Sequence, residues 1–176
     1  MSDIELLDLI DAALAERNST EAWGLQDIAP AAGMSPAGLI KRFGSKEALL
    51  LALARRWISR IPSAAIGAEA PLAELRRYIE DNFAVTSASK AIFGLGELMR
   101  DLWSPTAAEL LREGWHKQVS YFSLLLALMP LPASLDTHQA ALTLLDALHG
   151  SLYRSAVSFD PTTPTHTLDN LLKGWT

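Results

Sequence analysis

One stretch near the amino terminus, Leu25 to Lys46, constrains the fold of this chain more than any other. It reads LQDIAPAAGMSPAGLIKRFGSK, with apolar residues at helical spacing on both sides of Gly33. Glycine takes the left-handed backbone conformation that ends a helix, and Ser35 and Pro36 then supply an N-cap and a first helical residue. The stretch predicts two short helices joined by a tight turn. This is the helix-turn-helix pattern, whose second helix enters the DNA major groove.

Leu39 and Phe43 would bury one side of this second helix, and the other side would then be free to contact DNA. We expect Lys41 to contact a base or a phosphate, and Arg42 and Lys46 to hold the phosphate backbone. The small and apolar residues beside them would read DNA shape or thymine methyl groups. The complete predicted DNA-binding set is Gln26, Ser35, Pro36, Ala37, Gly38, Ile40, Lys41, Arg42 and Lys46.

The distribution of charge supports a nucleic-acid partner although the net charge of −5 does not. Residues 1–40 contain seven acidic residues and one basic residue, whereas residues 41–60 contain six basic residues and one acidic residue. A solvated charged face would give the same pattern. Because phosphate binding needs a local basic surface and not a basic protein, and because this cluster adjoins the helix-turn-helix, we favour contact with DNA.

The same residues resemble the N-terminal domain of the tetracycline-repressor (TetR) family of transcriptional regulators. The runs DIAPAAGMS and GLIKRFGSKEALL carry the resemblance, which covers about the first 57 residues. Three residues depart from the family pattern: Pro30 removes a backbone hydrogen bond inside the first helix, Gly38 replaces a small hydroxyl residue, and Ile40 replaces a common tyrosine. The resemblance implies an effector pocket in the C-terminal part and dimerisation through the C-terminal helices.

Composition limits the remaining possibilities. A chain of 176 residues that is 49% hydrophobic and 20% charged is typical of a soluble globular protein with a substantial core. The absence of cysteine excludes disulfides, thiolate catalysis and cysteine metal sites. The acidic start does not resemble a signal peptide, and the most apolar run, 121–129, is too short to span a bilayer, so we expect a cytoplasmic protein.

Helical periodicity continues to the end of the chain, without an alternating strand pattern. We therefore predict an all-α protein with an N-terminal three-helix helix-turn-helix domain over 1–62 and a C-terminal helical bundle for ligand binding and dimerisation over 63–176. The small, glycine-containing segment 63–70 is the expected junction. Helices or apolar stripes outside the helix-turn-helix are expected at about 3–17, 46–61, 72–83, 92–102, 105–129, 134–158 and 164–174.

A two-fold DNA site requires two reading helices about 34 Å apart, so we expect a homodimer. The last two helices are the predicted self-complementary face, with four helices packed about a two-fold axis. Ordinary core packing is the alternative for these residues. The predicted interface consists of Ala141, Leu144, Leu148, Leu152, Leu168, Leu171 and Leu172.

The middle of the chain is rich in aromatic and soft side chains that could line an apolar pocket with a few polar groups. Plain core packing explains such a pattern equally well. The predicted ligand-binding residues are Phe83, Met99, Trp103, Trp115, His116, Tyr121, Phe122 and Tyr153.

An enzyme is the alternative interpretation. Glu113 with His116, and Asp146 with His149, each place a carboxylate and an imidazole three residues apart, as in helical-bundle di-metal carboxylate sites. Hydrogen-bonded or solvated side chains also explain these pairs. A helix-turn-helix used only for protein interaction is a third possibility, which would not need the cluster of basic residues. We predict a DNA-binding transcriptional regulator, a homodimeric repressor released by an unidentified small molecule, with no catalytic site, metal or cofactor.

Overall fold

A computed structural model describes residues 1–67, 70–158 and 163–175, and within these ranges the regular structure is entirely helical. This confirms the predicted all-α fold. The helices are α1 (Asp3–Glu16), α2 (Leu25–Ala32), α3 (Pro36–Phe43), α4 (Lys46–Arg60), α5 (Pro71–Phe83), α6 (Ala88–Trp103), α7 (Pro105–Ala127), α8 (Thr137–Ser158) and α9 (Pro164–Trp175). No helix of the described ranges has the length and apolarity needed to cross a membrane.

The amino-terminal helices close around a small apolar core. Leu6 and Ile10 of α1 meet Ile28 of α2, Leu39 of α3 and Leu49 of α4, and all five side chains are buried. Each short helix contributes only a few buried residues, so their relative angle depends on this shared core. The core therefore fixes the orientation of α3.

A second, larger core lies among α5, α7, α8 and α9. Its fully buried side chains include Leu75 and Ile79 of α5 together with Phe122 and Leu125 of α7. Four residues that the sequence placed in a dimer interface belong to this core, where they have almost no surface left for a partner. These residues are Ala141, Leu144, Leu148 and Leu168. Helical periodicity alone could not show that this apolar face of α8 packs inside the protomer.

The chain passes between the two cores through the end of α4 and a short connection. Lys117 of α7 donates a hydrogen bond from Nζ to the carbonyl of Ile58, 2.9 Å away. The buried Glu74 carboxylate accepts hydrogen bonds from the backbone N–H groups of Ile66 and Gly67, at 2.9 and 2.8 Å, and from the Tyr121 hydroxyl at 2.6 Å. Burial raises the pKa of Glu74, but these donors outweigh it and lower the pKa below its usual value. The domain boundary at residue 62 stays a prediction; α4 contributes to the amino-terminal core, and the residues of the second core all follow it in the chain.

Candidate DNA-reading head and its junction with the bundle

A glycine turn sets the angle between α2 and α3. Gly33 has φ 61° and ψ 26°, the left-handed conformation that a residue with a Cβ rarely adopts. The backbone N–H of Met34 donates to the carbonyl of Ala29 at 3.1 Å, which satisfies an end of α2. Met34 itself packs against the amino-terminal core. The turn is therefore fixed by backbone hydrogen bonds and by one apolar contact.

Both ends of α3 are capped. The Ser35 hydroxyl accepts a hydrogen bond from the N–H of Gly38 at 3.1 Å, and Pro36 is the first helical residue. At the other end Gly44, with φ 92°, turns the chain so that Ser45 caps α4. The hydroxyl of Ser35 is thus already used within the protein, which makes it a structural residue of the turn.

The two sides of α3 differ as the sequence predicted. Leu39 is 1% exposed and anchors the helix in the core, with Phe43 half-buried beside it. The outward face is small, apolar and cationic, and we call it the reading face. Its members are Pro36, Ala37, Ile40 and Lys41. Gly38 is half-buried between the two sides, and Gln26 is exposed on α2.

The basic residues near α3 differ in their existing contacts. Lys41 is exposed and has no ion pair in the described part of the chain. Arg42 is exposed but bound to α1, with its Nε 2.6 Å from Asp3 Oδ1 and its Nη2 donating to the Met1 carbonyl at 3.0 Å. Because an exposed ion pair contributes little, Arg42 can exchange Asp3 for a phosphate. Lys41 needs no such exchange.

Lys46 does not point to the reading face, which corrects the prediction that its side chain holds DNA phosphate. Its ammonium donates to the Trp23 carbonyl and lies 4.1 Å from the centroid of the Trp23 ring. Burial is the main cause that lowers the pKa of Lys46, and nearby Arg100 lowers it further. A positive charge at the N-terminus of α4 is unfavourable because of the helix dipole. The carbonyl and the ring of Trp23 offset this cost by binding the Lys46 ammonium.

Trp23 connects α6 to the reading head, which we define as helices α1–α4 and the turns between them. It is 2% exposed, and its indole Nε1 donates to Glu97 Oε2 at 3.0 Å. Glu97 also pairs with Arg100 at 2.6 Å, and Arg17 lies over the Phe93 ring at 5.7 Å from its centroid. This junction carries polar and cation–π contacts between the amino-terminal core and the bundle.

Trp57 of α4 lies directly against Gly114 of α7. A Cβ added to Gly114 would come within 2.0 Å of Trp57 Cζ3 and 2.2 Å of Cη2, so this backbone position has no room for a side chain. The sequence pattern did not predict this contact, and it did not place Glu97 at the junction with α6. The available signal was Gly114 itself, since a glycine inside a helix costs about 1 kcal/mol and is often explained by a close contact.

Two of the eight predicted ligand-binding residues, His116 and Tyr121, line one cavity of about 720 Å³, and the other six do not. Phe83, Tyr121 and Phe122 are buried in the bundle core, where burial raises the pKa of the Tyr121 hydroxyl and its bond to Glu74 raises it further. In contrast, the exposed residues of the set lie on the outside of the bundle. These are Met99, Trp103, His116 and Tyr153.

Trp115 is half-buried and contacts His149, whose ring centroid is 5.1 Å away. His149 also meets Phe83 at 5.7 Å, and burial lowers the pKa of its imidazole. This histidine is therefore part of an aromatic packing cluster. Its predicted metal partner Asp146 is exposed, as are Glu113 and His116. The described residues contain no group of three or more potential ligands that could hold a metal ion, so the di-metal alternative has no support.

The glycine turn, the capped second helix and the outward face that presents Lys41 together form a helix-turn-helix, a motif that many DNA-binding proteins use. Residues 9–53 match the family model described as bacterial regulatory proteins, tetR family. Comparison with curated protein sequences finds no match. The amino-terminal part of the chain is therefore similar to the DNA-binding domain of TetR-family transcriptional regulators.

Solved structures with the same fold extend the likeness to the whole chain. A TetR transcription regulator from Haloarcula marismortui is 17% identical, with a TM-score of 0.71 over 99% of this chain and 97% of that one. A transcriptional regulator from Rhodococcus sp. Rha1 is 18% identical, with a TM-score of 0.69 over 99% and 96%. SmeT, the repressor of the Stenotrophomonas maltophilia multidrug efflux pump SmeDEF, is 18% identical, with a TM-score of 0.63 over 99% and 91%.

Proposed function

We propose that this regulator is a homodimeric repressor that binds a two-fold operator through α3 and is released by a small molecule. The observation that carries the DNA-binding part is the division of α3 between a buried Leu39 side and an exposed side that presents Lys41. A helix with this division can enter a groove without disturbing the core that holds it.

The exposed residues that we expect to contact DNA have distinct roles in this proposal. Pro36, Ala37 and Ile40 contact thymine methyl groups or read groove shape, because they offer no hydrogen-bonding side chain. Lys41 contacts a base or a phosphate, while Arg42 and the exposed Gln26 hold the backbone. Lys46 acts through Trp23 and positions α4 against α6.

The proposed dimer surface lies on the outer faces of α6 and α8, two helices that pack against each other. Trp103 is 81% exposed and Val157 is 78% exposed, and Met99 and Tyr153 are about half exposed on the same two helices. Exposed apolar side chains on two adjoining helices are typical of a protein–protein interface. A second copy of the chain is the partner that a two-fold operator requires. We include the half-buried Leu152 of α8 in the proposed surface.

Release by a small molecule requires that the ligand bind more tightly to the state that does not fit DNA. A typical coupling of about 1–3 kcal/mol would weaken operator binding by about 5- to 150-fold. The junction around Trp23 and Trp57 supports this proposal, since it joins the reading head directly to α6 and α7.

The test begins with selection of duplexes from a random pool, followed by measurement of the salt dependence of binding to the selected duplex. Lys41→Ala removes one phosphate or base contact, and for a phosphate contact we expect the slope of log K against log salt to fall by about one unit. Lys90→Ala, on α6 and remote from α3, is the matched control and leaves the slope unchanged. Selection of no duplex would overturn the proposal, and an unchanged slope for Lys41→Ala would remove this residue from the phosphate contacts. Screening metabolites for release of the selected duplex tests the effector part.

A further inference from the structure

In the described part of the chain, three cavities border α4, the helix that follows the reading helix, while two larger ones, of about 720 and 560 Å³, lie elsewhere. A central cleft of about 310 Å³ lies between α4 and helices α1, α6 and α7. A second cleft of about 510 Å³ adjoins the carboxyl end of α4, and a third of about 380 Å³ adjoins its amino end. The close contact between Trp57 and Gly114 interrupts this loose packing. The helix that positions the reading head is therefore bordered by open space along its length.

The central cleft combines an aromatic wall with an aliphatic lining. Trp57 is half-buried and lines both the central cleft and the cleft at the carboxyl end of α4. The aliphatic lining is Leu14, Leu50, Leu53, Leu98 and Leu111. A volume near 300 Å³ with mostly apolar walls suits a small organic molecule.

The charges in this cleft select the sign of such a molecule. Of the three carboxylates in the lining, Asp11 is ion-paired with Arg60 of α4. Glu97 accepts a hydrogen bond from Trp23 as well as pairing with Arg100, so Asp101 is the carboxylate with the weakest pairing. Arg100 bonds Glu97 at 2.6 Å and is 3.5 Å from Asp101, so it is shared between two acids. Among the described residues the one ion pair of Asp101 is this 3.5 Å contact with the shared Arg100, so its negative charge is only partly compensated, and burial raises its pKa. An added cation would compensate that charge.

We propose that the central cleft binds a compact hydrophobic organic cation, with its charged head between Asp101 and the Trp57 ring and its apolar part among the leucines. Carboxylate attraction and the cation–π contact act on the same positive group. The occupant would contact α4 on one side and α6 and α7 on the other. Its effect on operator binding rests on the proposed function, whereas its binding to the cleft does not.

The probe is benzyltrimethylammonium, titrated into the full chain by isothermal calorimetry. Its neutral carbon isostere neopentylbenzene and the anion phenylacetate serve as probes of similar shape and different charge. We expect the cation to bind about tenfold more tightly than either, because only the cation gains the electrostatic contacts. Equal affinity for the neutral isostere, tighter binding of the anion, or no binding of the cation would overturn the proposal.

Two glycines of α6 provide a matched pair of variants that locates the site. Gly94 lines the cleft and Gly96 does not, and a Cβ at either position meets no atom within 4 Å. Gly94→Leu fills the cleft and is expected to weaken binding of benzyltrimethylammonium by about tenfold or more. Gly96→Leu retains the affinity of the original chain. Equal affinities for the two variants would place the site elsewhere and overturn the assignment.

A charge pair of variants tests the role of Asp101. Asp101→Asn keeps the shape of the cleft and is expected to weaken binding of the cation about tenfold. Glu109→Gln removes a carboxylate of α7 that lies outside the cleft and leaves binding unchanged. An unaffected Asp101→Asn would contradict the proposal. Affinity for the selected duplex is measured separately. If the chain binds the duplex but not the cation, the proposed cation site is wrong and the proposed function is unaffected. If the cation binds without changing duplex affinity, the site exists but does not release the regulator from DNA.

Discussion

At the scale of single residues, Gly114 and Trp57 make the sharpest prediction about stability. Gly114→Ala places a methyl group within about 2 Å of the Trp57 ring, so the ring must shift toward the adjoining clefts and lose its packing against α7. We expect a loss of about 1–3 kcal/mol in the free energy of unfolding, as for other overpacked sites. Urea unfolding monitored by circular dichroism measures it.

The matched control is Gly150→Ala, because a Cβ there meets no atom within 4 Å and the helical preference of alanine should stabilise by up to about 1 kcal/mol. Combining Gly114→Ala with Trp57→Leu should cost less than the sum of the two changes, since the shorter side chain removes the clash. Strict additivity would show that the two residues do not press on each other. The sequence offered the glycine as a signal but could not identify the ring that lies against it, because Trp57 and Gly114 meet only through tertiary packing.

Glu74 makes the pH prediction. Its pKa in the folded protein lies below the ordinary value of 4.5, so its stabilising contribution is complete above that pH and is lost as the pH falls through the folded pKa. Glu74→Gln leaves at least one buried N–H or hydroxyl donor poorly paired, at a cost of about 1–3 kcal/mol at pH 7. The variant should also lose part of the acid-dependent decrease in stability. Urea unfolding at several pH values between 3 and 7 measures both effects.

Glu80→Gln, an exposed change on the same helix, should leave the stability at pH 7 within about 0.5 kcal/mol of the original chain. If Glu74→Gln behaved in the same way as this control, the carboxylate would not hold the connection after α4. Sequence pattern alone could not single out Glu74. An acidic residue in the first turn of a helix is ordinary, and its donors at Ile66 and Gly67 come from the preceding connection.

At the scale of helices, periodicity predicted where elements lie better than it predicted which faces are buried. The predicted helix at 134–158 corresponds to α8, yet its residues Leu144 and Leu148 are in the core while Tyr153 and Val157 are exposed. A helix that is apolar on more than one side carries no internal information about which side meets its own bundle. The buried face of the reading helix was easier to predict from the sequence, because α3 has one apolar side and both of its caps can be recognised from the residue types.

Pro30 gives a prediction for α2. It lies inside this eight-residue helix, and its side chain is exposed. Because proline has no backbone N–H, the hydrogen bond that position 30 would donate to the carbonyl of Gln26 is missing. Pro30→Ala should stabilise the protein by about 1–2 kcal/mol, the helical gain less the lost restriction of the unfolded chain. Chemical denaturation should show a higher midpoint with an unchanged slope.

Pro36→Ala is the matched control, since proline at a first helical position has no hydrogen bond to lose and its fixed φ suits the helix. We expect this substitution to be neutral or slightly destabilising. If Pro30→Ala were also neutral or destabilising, the energetic cost assigned to Pro30 within α2 would be wrong.

At the scale of the whole molecule, the sequence predicted the helix-turn-helix head and a helical bundle but not the contacts between them. Lys46 illustrates the difference. From the sequence it adjoins Arg42 and Lys41 in a basic cluster, whereas folding turns its ammonium to Trp23, which in turn contacts Glu97. A cluster of basic residues in the sequence shows that positive charge is present in this part of the chain. Only the packed structure shows the direction in which each of these side chains points.

The oligomeric state of the chain in solution tests the proposal that it binds a two-fold operator as a dimer. Burial of Leu144 and its neighbours inside the protomer leaves the exposed residues of α6 and α8, above all Trp103 and Val157, as the surface that a second copy would cover. Val157→Asp places a charge at this surface, which is costly to desolvate, so we expect the dimer to dissociate. Sedimentation velocity at micromolar concentration should then give a dimer for the original chain and a monomer for the variant.

Ile66→Asp is a closely matched control, because Ile66 is 76% exposed and Val157 is 78% exposed, but Ile66 lies in the connection after α4, away from α6 and α8. It should remain dimeric and retain its affinity for the selected duplex. Val157→Asp should bind that duplex about 100-fold more weakly, because each reading head would then bind without the effective concentration that pairing provides. A monomeric original chain, or the same dissociation in both variants, would contradict dimerisation through this surface, since only one of the two substitutions lies on it.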